Sequence, residues 1–165
     1  MKKIIVFGGS GFLGSHVVDK LSQSNFEVTV FDKIDSRFIK KNQKMIIGDI
    51  LDEKEVDNAI SKNDIVYNFA GLADIEESKK NPIGTVKQNI LGNTIILNSC
   101  VSNDVERYVF GSTVYVYSDL GSFYRVSKQA CENYIEHYNQ AYDLEYTILR
   151  FGSLYGPRSD LKNGI

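Results

Sequence analysis

The stretch KIIVFGGSGFLG, residues 3–14, leads from a short apolar segment through a glycine-rich turn into an amphipathic segment. The apolar part predicts a buried strand at 3–7, and the amphipathic part predicts a helix at 12–24. In such a turn Gly8 and Gly11 let the backbone bend and approach a pyrophosphate, and Gly14 lets the helix pack closely on the strand. The positive end of the helix then faces the negative charge. The stretch predicts a dinucleotide-binding βαβ unit.

An acidic residue stands where this interpretation requires one. A second strand, predicted at 27–31, is followed by Asp32. A carboxylate at this place accepts hydrogen bonds from the ribose hydroxyls of NAD and repels the 2′-phosphate of NADP. The position therefore favours NAD. Lys33 and Arg37 lie close by in sequence, so NADP stays an alternative unless these two cations belong to a solvated loop.

Strand-like and helix-like segments alternate along the rest of the chain. Further strands are predicted at 44–47, 65–69, 107–110 and 144–149, and further helices at 53–61, 83–102 and 122–142. The alternation predicts an α/β fold of the Rossmann type, a doubly wound, mostly parallel sheet with helices on both faces. We expect residues 1–165 to form one NAD-binding domain.

Composition narrows the classes of partner. The net charge of −2, with both signs spread along the chain, gives no basic stripe for nucleic acid. The apolar run at 4–7 ends at Gly8, and no other run approaches the length of a membrane span, so we expect a cytoplasmic protein without a membrane partner. Cys100 and Cys131 lack metal-ligand spacing, so no metal site is predicted. Buried free thiols are expected, with a disulfide or a reactive thiol as the alternative.

A tyrosine and a lysine lie one turn apart in the predicted helix 122–142. An ammonium beside a phenol favours the phenolate, so Lys128 would lower the pKa of Tyr124 and make it a usable acid or base. Thr113 follows the fifth strand, at the edge where ligands of parallel sheets bind. We predict that Tyr124 exchanges a proton with a substrate, that Thr113 hydrogen-bonds the same oxygen, and that Lys128 also binds the nicotinamide ribose. Taken singly, each could instead be structural: a packing tyrosine, a solvated lysine and a helix cap.

These motifs together resemble the extended short-chain dehydrogenase/reductases, particularly the NAD-dependent nucleotide-sugar epimerase/dehydratase group. The resemblance rests on Gly8-x-x-Gly11-x-x-Gly14, Gly48-Asp49-Ile50, Asn68-Phe69-Ala70-Gly71, the segment 89–94, the strand 108–117, Tyr124-x-x-x-Lys128 with Glu132, and the segment 149–158. It implies that NAD is bound by Gly8, Gly11, Phe12, Leu13, Gly14, Asp32, Lys33, Asp49, Ile50, Phe69, Ala70, Gly71, Asn89, Tyr124, Lys128 and Phe151. It also implies a nucleotide-sugar substrate in contact with Thr113 and Ser153, and a supporting role for Asn89.

The departures from the family pattern bear on the reaction. Dehydratases of this group carry Asp-Glu directly after the catalytic threonine, whereas Val114-Tyr115 stand here, so we expect an epimerase that works by transient hydride transfer. Ser153 replaces the usual asparagine, and the loop 118–123 is shorter than in most members. The sequence therefore does not identify the sugar. One alternative is a one-way NAD(P)-dependent reductase or dehydrogenase of a sugar or another carbonyl compound. Another is a non-catalytic dinucleotide-binding sensor or fragment.

The resemblance also carries expectations about size and assembly. Family members are roughly twice this length, so we expect the C-terminal substrate domain to be missing and the sheet to be incomplete. The family forms homodimers through helices that correspond to 83–102 and 122–142. The apolar stripe of Val86, Ile90, Leu97 and Val101 fits such an interface and fits a sheet-packing face equally well.

Overall fold

The sheet has six strands in an all-parallel arrangement. The computed structural model describes residues 1–159. The strands are β1 Lys3–Phe7, β2 Glu27–Asp32, β3 Gln43–Ile47, β4 Ile65–Asn68, β5 Arg107–Thr113 and β6 Tyr146–Phe151. Their order across the sheet is β3-β2-β1-β4-β5-β6, and every neighbouring pair is parallel. This order is typical of dinucleotide-binding folds, so the predicted fold class is confirmed.

Two strands differ from the prediction by more than one residue. β5 continues to Thr113 because its last residues pair with β6, in a register that sets Ser112 beside Arg150 and Thr113 beside Phe151. β6 begins at Tyr146, two residues later than predicted, since Leu144 packs in the core ahead of the strand. The apolar character of Leu144 therefore reflects burial rather than strand pairing.

Helices cover the sheet on both faces. Three confirm the predicted helices within one residue: α1 Phe12–Gln23, α2 Glu53–Ile60 and α6 Ser122–Tyr142. The predicted helix 83–102 is a continuous element made of α4 Pro82–Thr85, a π-helical segment Val86–Leu91 and α5 Gly92–Ser102. The short α3 Ile75–Lys80 and the 3-10 turn Val114–Tyr117 were not predicted, because segments this short show too little periodicity.

The π-helical segment explains why the predicted apolar stripe is divided. Leu97 is buried, and Ile90 and Val101 pack against the same core, as a sheet-packing face requires. Val86 is instead 52% exposed. A π-helical turn holds about one residue more than an α-helical turn, so positions before it are rotated by about 100° relative to those after it. The spacing of a regular helix therefore does not apply across this segment.

The core consists of two apolar clusters, one on each face of the sheet. Alternate residues of β1 belong to different clusters: Ile5 and Phe7 face α2, α5 and α6, whereas Ile4 and Val6 face α1. Cys100 and Cys131 are free and lie in the larger cluster, as predicted. Burial raises the pKa of the Cys131 thiol to about 11. In residues 1–159, no helix is long and apolar enough to cross a membrane.

Candidate active site

The glycine-rich turn brings β1, β4 and α1 into close approach. Gly8 has a φ of +74°, and a Cβ at this residue would lie 2.6 Å from the amide nitrogen of Ala70. A Cβ at Gly14 would lie 2.2 Å from the carbonyl oxygen of Gly8. Both distances are far shorter than van der Waals contact, and a positive φ strains any residue other than glycine. This backbone geometry requires glycine at both positions.

The N-terminus of α1 differs from those of α2 and α3 in its capping. The Asp52 side chain caps α2 and the Asp74 side chain caps α3. Among the described residues, no side chain caps α1 at Gly11, and its first turn contains no acidic residue. The N-H groups and the positive end of the helix dipole remain available to an anionic ligand. A pyrophosphate fits this turn.

Asp32 connects the glycine-rich turn to the loop that follows β2. Its carboxylate accepts hydrogen bonds from the N-H groups of Ser10 at 3.0 Å and Ile34 at 3.2 Å. The side chain lines a cleft of about 570 Å³, together with Lys33, Ile50 and Ala70. A carboxylate has about four acceptor positions, so Asp32 retains acceptor capacity for ligand hydroxyls.

Of the two cations that kept NADP as an alternative, Lys33 lines the cleft but is paired with a carboxylate, and Arg37 lies outside the lining. The Lys33 ammonium lies 3.0 Å from the Asp49 carboxylate. Burial raises the pKa of Asp49. The N-H of Leu51 and the Lys33 ammonium lower it by a larger amount, so the net pKa lies below the ordinary value. Arg37 is exposed and does not line the cleft. Asp49 does not line it either, although Ile50 does.

A second cleft of about 860 Å³ continues along the carboxyl edge of the sheet. The two clefts share Gly8, Gly11, Phe69 and Gly71 in their linings, so we call them the joined clefts. Most of the remaining predicted site residues line the larger cleft: Phe12, Leu13, Gly14, Thr113, Tyr124, Lys128, Phe151 and Ser153. Asp49 and Asn89 are the two predicted site residues that line neither cleft.

Tyr124 and Lys128 share the larger cleft, but their electrostatics differ from the prediction. Lys128 is buried, its Nζ donates to the Gly111 carbonyl at 2.8 Å, and it lies 5.8 Å from the centroid of the Tyr124 ring. Burial lowers the pKa of Lys128, against the opposing effects of Cys131 and Glu132. Burial raises the pKa of Tyr124 above its ordinary value, with Thr113 acting in the opposite direction. The net pKa of Tyr124 is therefore raised, and the Gly111 carbonyl holds the Lys128 ammonium. A lowering of the tyrosine pKa by Lys128 stays a prediction.

Thr113 combines its predicted role with the structural alternative. It is the last residue of β5 and is buried at the wall of the larger cleft. Its hydroxyl oxygen accepts a hydrogen bond from the N-H of Tyr115 at 3.3 Å, which caps the 3-10 turn. The cap fixes the side chain at the cleft wall. Capping and lining the cleft are compatible for this residue.

The glycine-rich turn, the acid after β2 and the Thr113–Tyr124–Lys128 group thus lie along one edge of the sheet. Residues 4–164 match the sequence model described as "NAD dependent epimerase/dehydratase family". The chain belongs to this family. NAD is the cofactor of the family.

Solved structures and relatives of this epimerase/dehydratase-family chain agree with the assignment. It superimposes with a TM-score of 0.90 and 30% identity on the UDP-glucose 4-epimerase of Thermotoga maritima, solved with UDP-glucose, covering 96% of this chain and 58% of that one. It superimposes on the UDP-glucose 4-epimerase of Thermus thermophilus, solved with NAD, with a TM-score of 0.89 and 31% identity. This match covers 96% of this chain and 57% of that one. The dTDP-D-glucose 4,6-dehydratase of Dictyostelium discoideum is 28% identical over 96% of this chain and 45% of its own length. Epimerases and dehydratases both occur among the relatives, and the chain spans about half of their length.

Asn89 lies outside the lining of the joined clefts and holds two of the neighbouring elements together. It lies in the π-helical segment, and its side chain accepts from the Leu72 N-H at 2.7 Å and donates to the Leu72 carbonyl at 3.0 Å. It also donates to the Ser127 hydroxyl at 2.8 Å, and that hydroxyl donates to the Tyr124 carbonyl at 2.7 Å. Asn89 thereby connects the loop after β4 to the helix that carries Tyr124. This geometry agrees with a supporting role.

Sequence reasoning assigned no role to a buried network beside the site. The Glu132 carboxylate is buried, accepts from the Ser112 hydroxyl and pairs with the Arg150 guanidinium at 2.7 Å. The hydrogen bond to Glu132 is the main cause that raises the pKa of Arg150. Ser112 and Arg150 directly precede Thr113 and Phe151, so the network fixes α6 to the cleft ends of β5 and β6. The sequence feature that could have indicated this network is a glutamate one turn after Lys128, on the buried side of α6.

Proposed function

We propose that the chain binds NAD in the joined clefts and uses it to epimerise a nucleotide-activated sugar. The observation that carries the proposal is the convergence of Thr113, Tyr124 and Lys128 in a cleft that continues from the glycine-rich turn. The turn fits a pyrophosphate, and the group beyond it fits a carbon that bears a hydroxyl or a carbonyl. The named activities of the similar proteins support the choice of a nucleotide sugar.

Each of the three side chains has a distinct role in the proposed reaction. NAD, when bound, would supply the group that accepts and returns a hydride. Tyr124 would take the proton from the sugar hydroxyl and return it, and the Thr113 hydroxyl would hydrogen-bond the same oxygen. Lys128 would supply positive charge that favours the tyrosine phenolate, against the burial that raises the Tyr124 pKa. The Gly111 carbonyl positions that ammonium in the cleft.

The lining of the larger cleft favours epimerisation over dehydration. Loss of water from a sugar needs an acid and a base beside the departing hydroxyl. Val114 and Tyr115 follow Thr113 in the lining, and Lys128 is the one charged residue among the described residues of the lining. Epimerisation needs no additional acid and base beside a departing hydroxyl, so Tyr124 alone is sufficient for the proton transfer.

Product analysis tests the proposed reaction. The protein should bind NAD in preference to NADP and convert UDP-glucose to its 4-epimer with no net change in NADH absorbance. Net formation or consumption of NADH would instead indicate a one-way reductase or dehydrogenase. A 4-keto-6-deoxy sugar product would indicate a dehydratase. Binding of NAD without turnover of any nucleotide sugar would favour the dinucleotide-sensing alternative.

We also propose a cytoplasmic location for the protein. Cys100 and Cys131 are buried free thiols. Thiols persist in reducing compartments and are commonly oxidised in secreted proteins. The proposal would be overturned if fractionation of the source cells found the protein outside the cytoplasm.

Exposed apolar side chains on the two long helical elements support a homodimer. Phe123, Val126 and Tyr134 fall on one face of α6 and are each about half exposed, and Ile83 and Val86 are exposed on the neighbouring helical element. Large apolar side chains grouped on one surface indicate a protein interface. We propose that this surface pairs with its copy in a second chain.

Substitution of Val126 by glutamate should dissociate the proposed dimer, because a charge buried in an apolar interface is strongly disfavoured. Light scattering should give twice the chain mass of 18.6 kDa for the parent protein and the single mass for Val126→Glu. Ile47→Glu is the matched control: Ile47 is 61% exposed, against 48% for Val126, but lies on the edge strand β3. A parent protein that is monomeric at tens of micromolar would contradict the proposal.

A further inference from the structure

The segment that follows β6 runs along the larger cleft and reaches α1. Residues 152–159, which we call the strap, contain no helix or strand. Gly152, Ser153, Leu154, Tyr155 and Ser159 of the strap line the cleft on one side, and the glycine-rich turn with the start of α1 lines it on the other. The strap therefore extends from the β6 edge of the sheet toward the helix that would hold the pyrophosphate.

The far end of the strap is fixed to α1 by an ion pair. Arg158 donates to the Asp19 carboxylate at 2.8 Å, and the guanidinium lies over the Phe38 ring, 4.4 Å from its centroid. Lys40 also pairs with Asp19 at 2.8 Å. Burial raises the pKa of Asp19, but hydrogen bonds from Lys40, Arg158 and Gln43 lower it to about 2. We call the Asp19–Arg158 pair the clasp.

A second contact reinforces the clasp one residue earlier. The Nε2 atom of His16, on the same helix, lies 2.8 Å from the Pro157 carbonyl oxygen and donates to it. The charged pair itself is well shielded, since the side chains of Arg158 and Asp19 are 21% and 13% exposed. A shielded ion pair with a stacked guanidinium is stronger than an exposed one.

Between its two anchors the strap makes few contacts of its own. Residues 152–155 are exposed, and Tyr155 is 84% exposed. The internal hydrogen bonds of the strap run from Ser159 to the Gly156 carbonyl, at the clasp end. A segment with so few internal contacts keeps its position mainly through its ends. One end is Phe151 in β6, and the other is the clasp.

We propose that Asp19 and Arg158 are positioning residues that hold the strap against the larger of the joined clefts and slow the release of a bound dinucleotide. The inference rests on the proposed function, since it requires NAD in these clefts. Asp19 and Arg158 themselves line neither cleft, so they act through the strap and not through contact with the ligand. A cover of this kind affects dissociation more than association.

The experiment measures how fast NADH leaves the protein. The parent protein, Arg158→Gln and Asp19→Asn are loaded with NADH and mixed with excess NAD, and the decay of bound NADH fluorescence gives the dissociation rate. Both variants should release NADH about tenfold faster than the parent, with little change in the association rate. Arg158→Lys keeps the charge but not the planar stacking on Phe38, so it should show a smaller increase. If Arg158→Gln does not fold, Asp19→Asn carries the test.

A control and a second measurement separate the clasp from general destabilisation. Arg107→Gln removes another arginine–carboxylate pair, with Glu145, at the amino ends of β5 and β6, and should leave NADH release unchanged. Chymotrypsin should cut after Tyr155 faster in Arg158→Gln than in the parent, because the strap loses its far anchor. If the parent binds NADH and both clasp variants release it at the parent rate, the proposed role of the clasp is overturned and the proposed function is not. A parent that binds no NADH would overturn the proposed function, and the clasp with it.

Discussion

Replacement of Tyr124 by phenylalanine should abolish epimerisation and leave NAD binding intact. The substitution removes one oxygen atom and retains the half-buried ring, so the packing of α6 against the cleft is preserved. The lost hydroxyl is the group that would exchange the proton with the sugar. Loss of a general acid or base costs about 10²- to 10⁴-fold in rate, and we expect at least about 10³-fold here because the described lining contains no histidine or carboxylate that could replace the phenol.

Two measurements on each protein make this result interpretable. Epimerisation of UDP-glucose is followed by product analysis, and NAD affinity is followed by titration. Tyr142→Phe is the control, since Tyr142 is exposed at the end of the same helix and should behave like the parent in both assays. Turnover at the parent rate in Tyr124→Phe would refute the proposed role of Tyr124. NAD binding without turnover in the parent itself would favour a sensor.

Substitution of Gly14 by alanine should remove most of the affinity for NAD. The added Cβ would lie 2.2 Å from the Gly8 carbonyl oxygen and 2.8 Å from the Gly9 Cα, and both are backbone atoms that cannot rotate away. The glycine-rich turn must therefore shift relative to α1, which displaces the N-H groups that would face the pyrophosphate. A hydrogen bond to a charged group contributes about 1.5–3 kcal/mol, so the loss of one N-H contact to the pyrophosphate would lower the affinity by about 10- to 150-fold.

Calorimetric titration with NAD and denaturant unfolding test this prediction together. The free energy of unfolding of Gly14→Ala should fall by about 1–3 kcal/mol, since the clash is present without ligand. Lys20→Ala, at an exposed position of the same helix, should leave both quantities unchanged. A Gly14→Ala protein with parent affinity for NAD would show that the dinucleotide does not bind at this turn.

Much of the arrangement was predictable because it depends on local sequence. The glycine spacing at Gly8, Gly11 and Gly14 and the apolar runs on either side determine β1, the turn and α1, and alternation along the chain indicates the parallel sheet. The carboxyl ends of parallel strands share one edge, so the sequence positions of Asp32 and Thr113 were sufficient to place both along the joined clefts. The roles of these residues in binding and catalysis stay predictions.

What could not be predicted depends on atoms that are distant in sequence. The Gly111 carbonyl that holds the Lys128 ammonium is 17 residues away, and no spacing rule places it there. Asp19 and Arg158 are 139 residues apart in sequence and are brought together only by the tertiary fold. Burial raises the Tyr124 pKa through the surrounding packing, whereas the sequence indicated only the nearby lysine.

The π-helical segment Val86–Leu91 has a consequence for how this helix tolerates changes of length. A π-helical turn is equivalent to a single-residue insertion in an α-helix. Its deletion would restore a regular helix but rotate α4 by about 100° against α5. Asn89 could then no longer reach Leu72 and Ser127 while Leu97 stays in the core. A homologue could lose this residue only together with the Asn89 contacts. We therefore expect the extra residue and the asparagine to be retained or lost together.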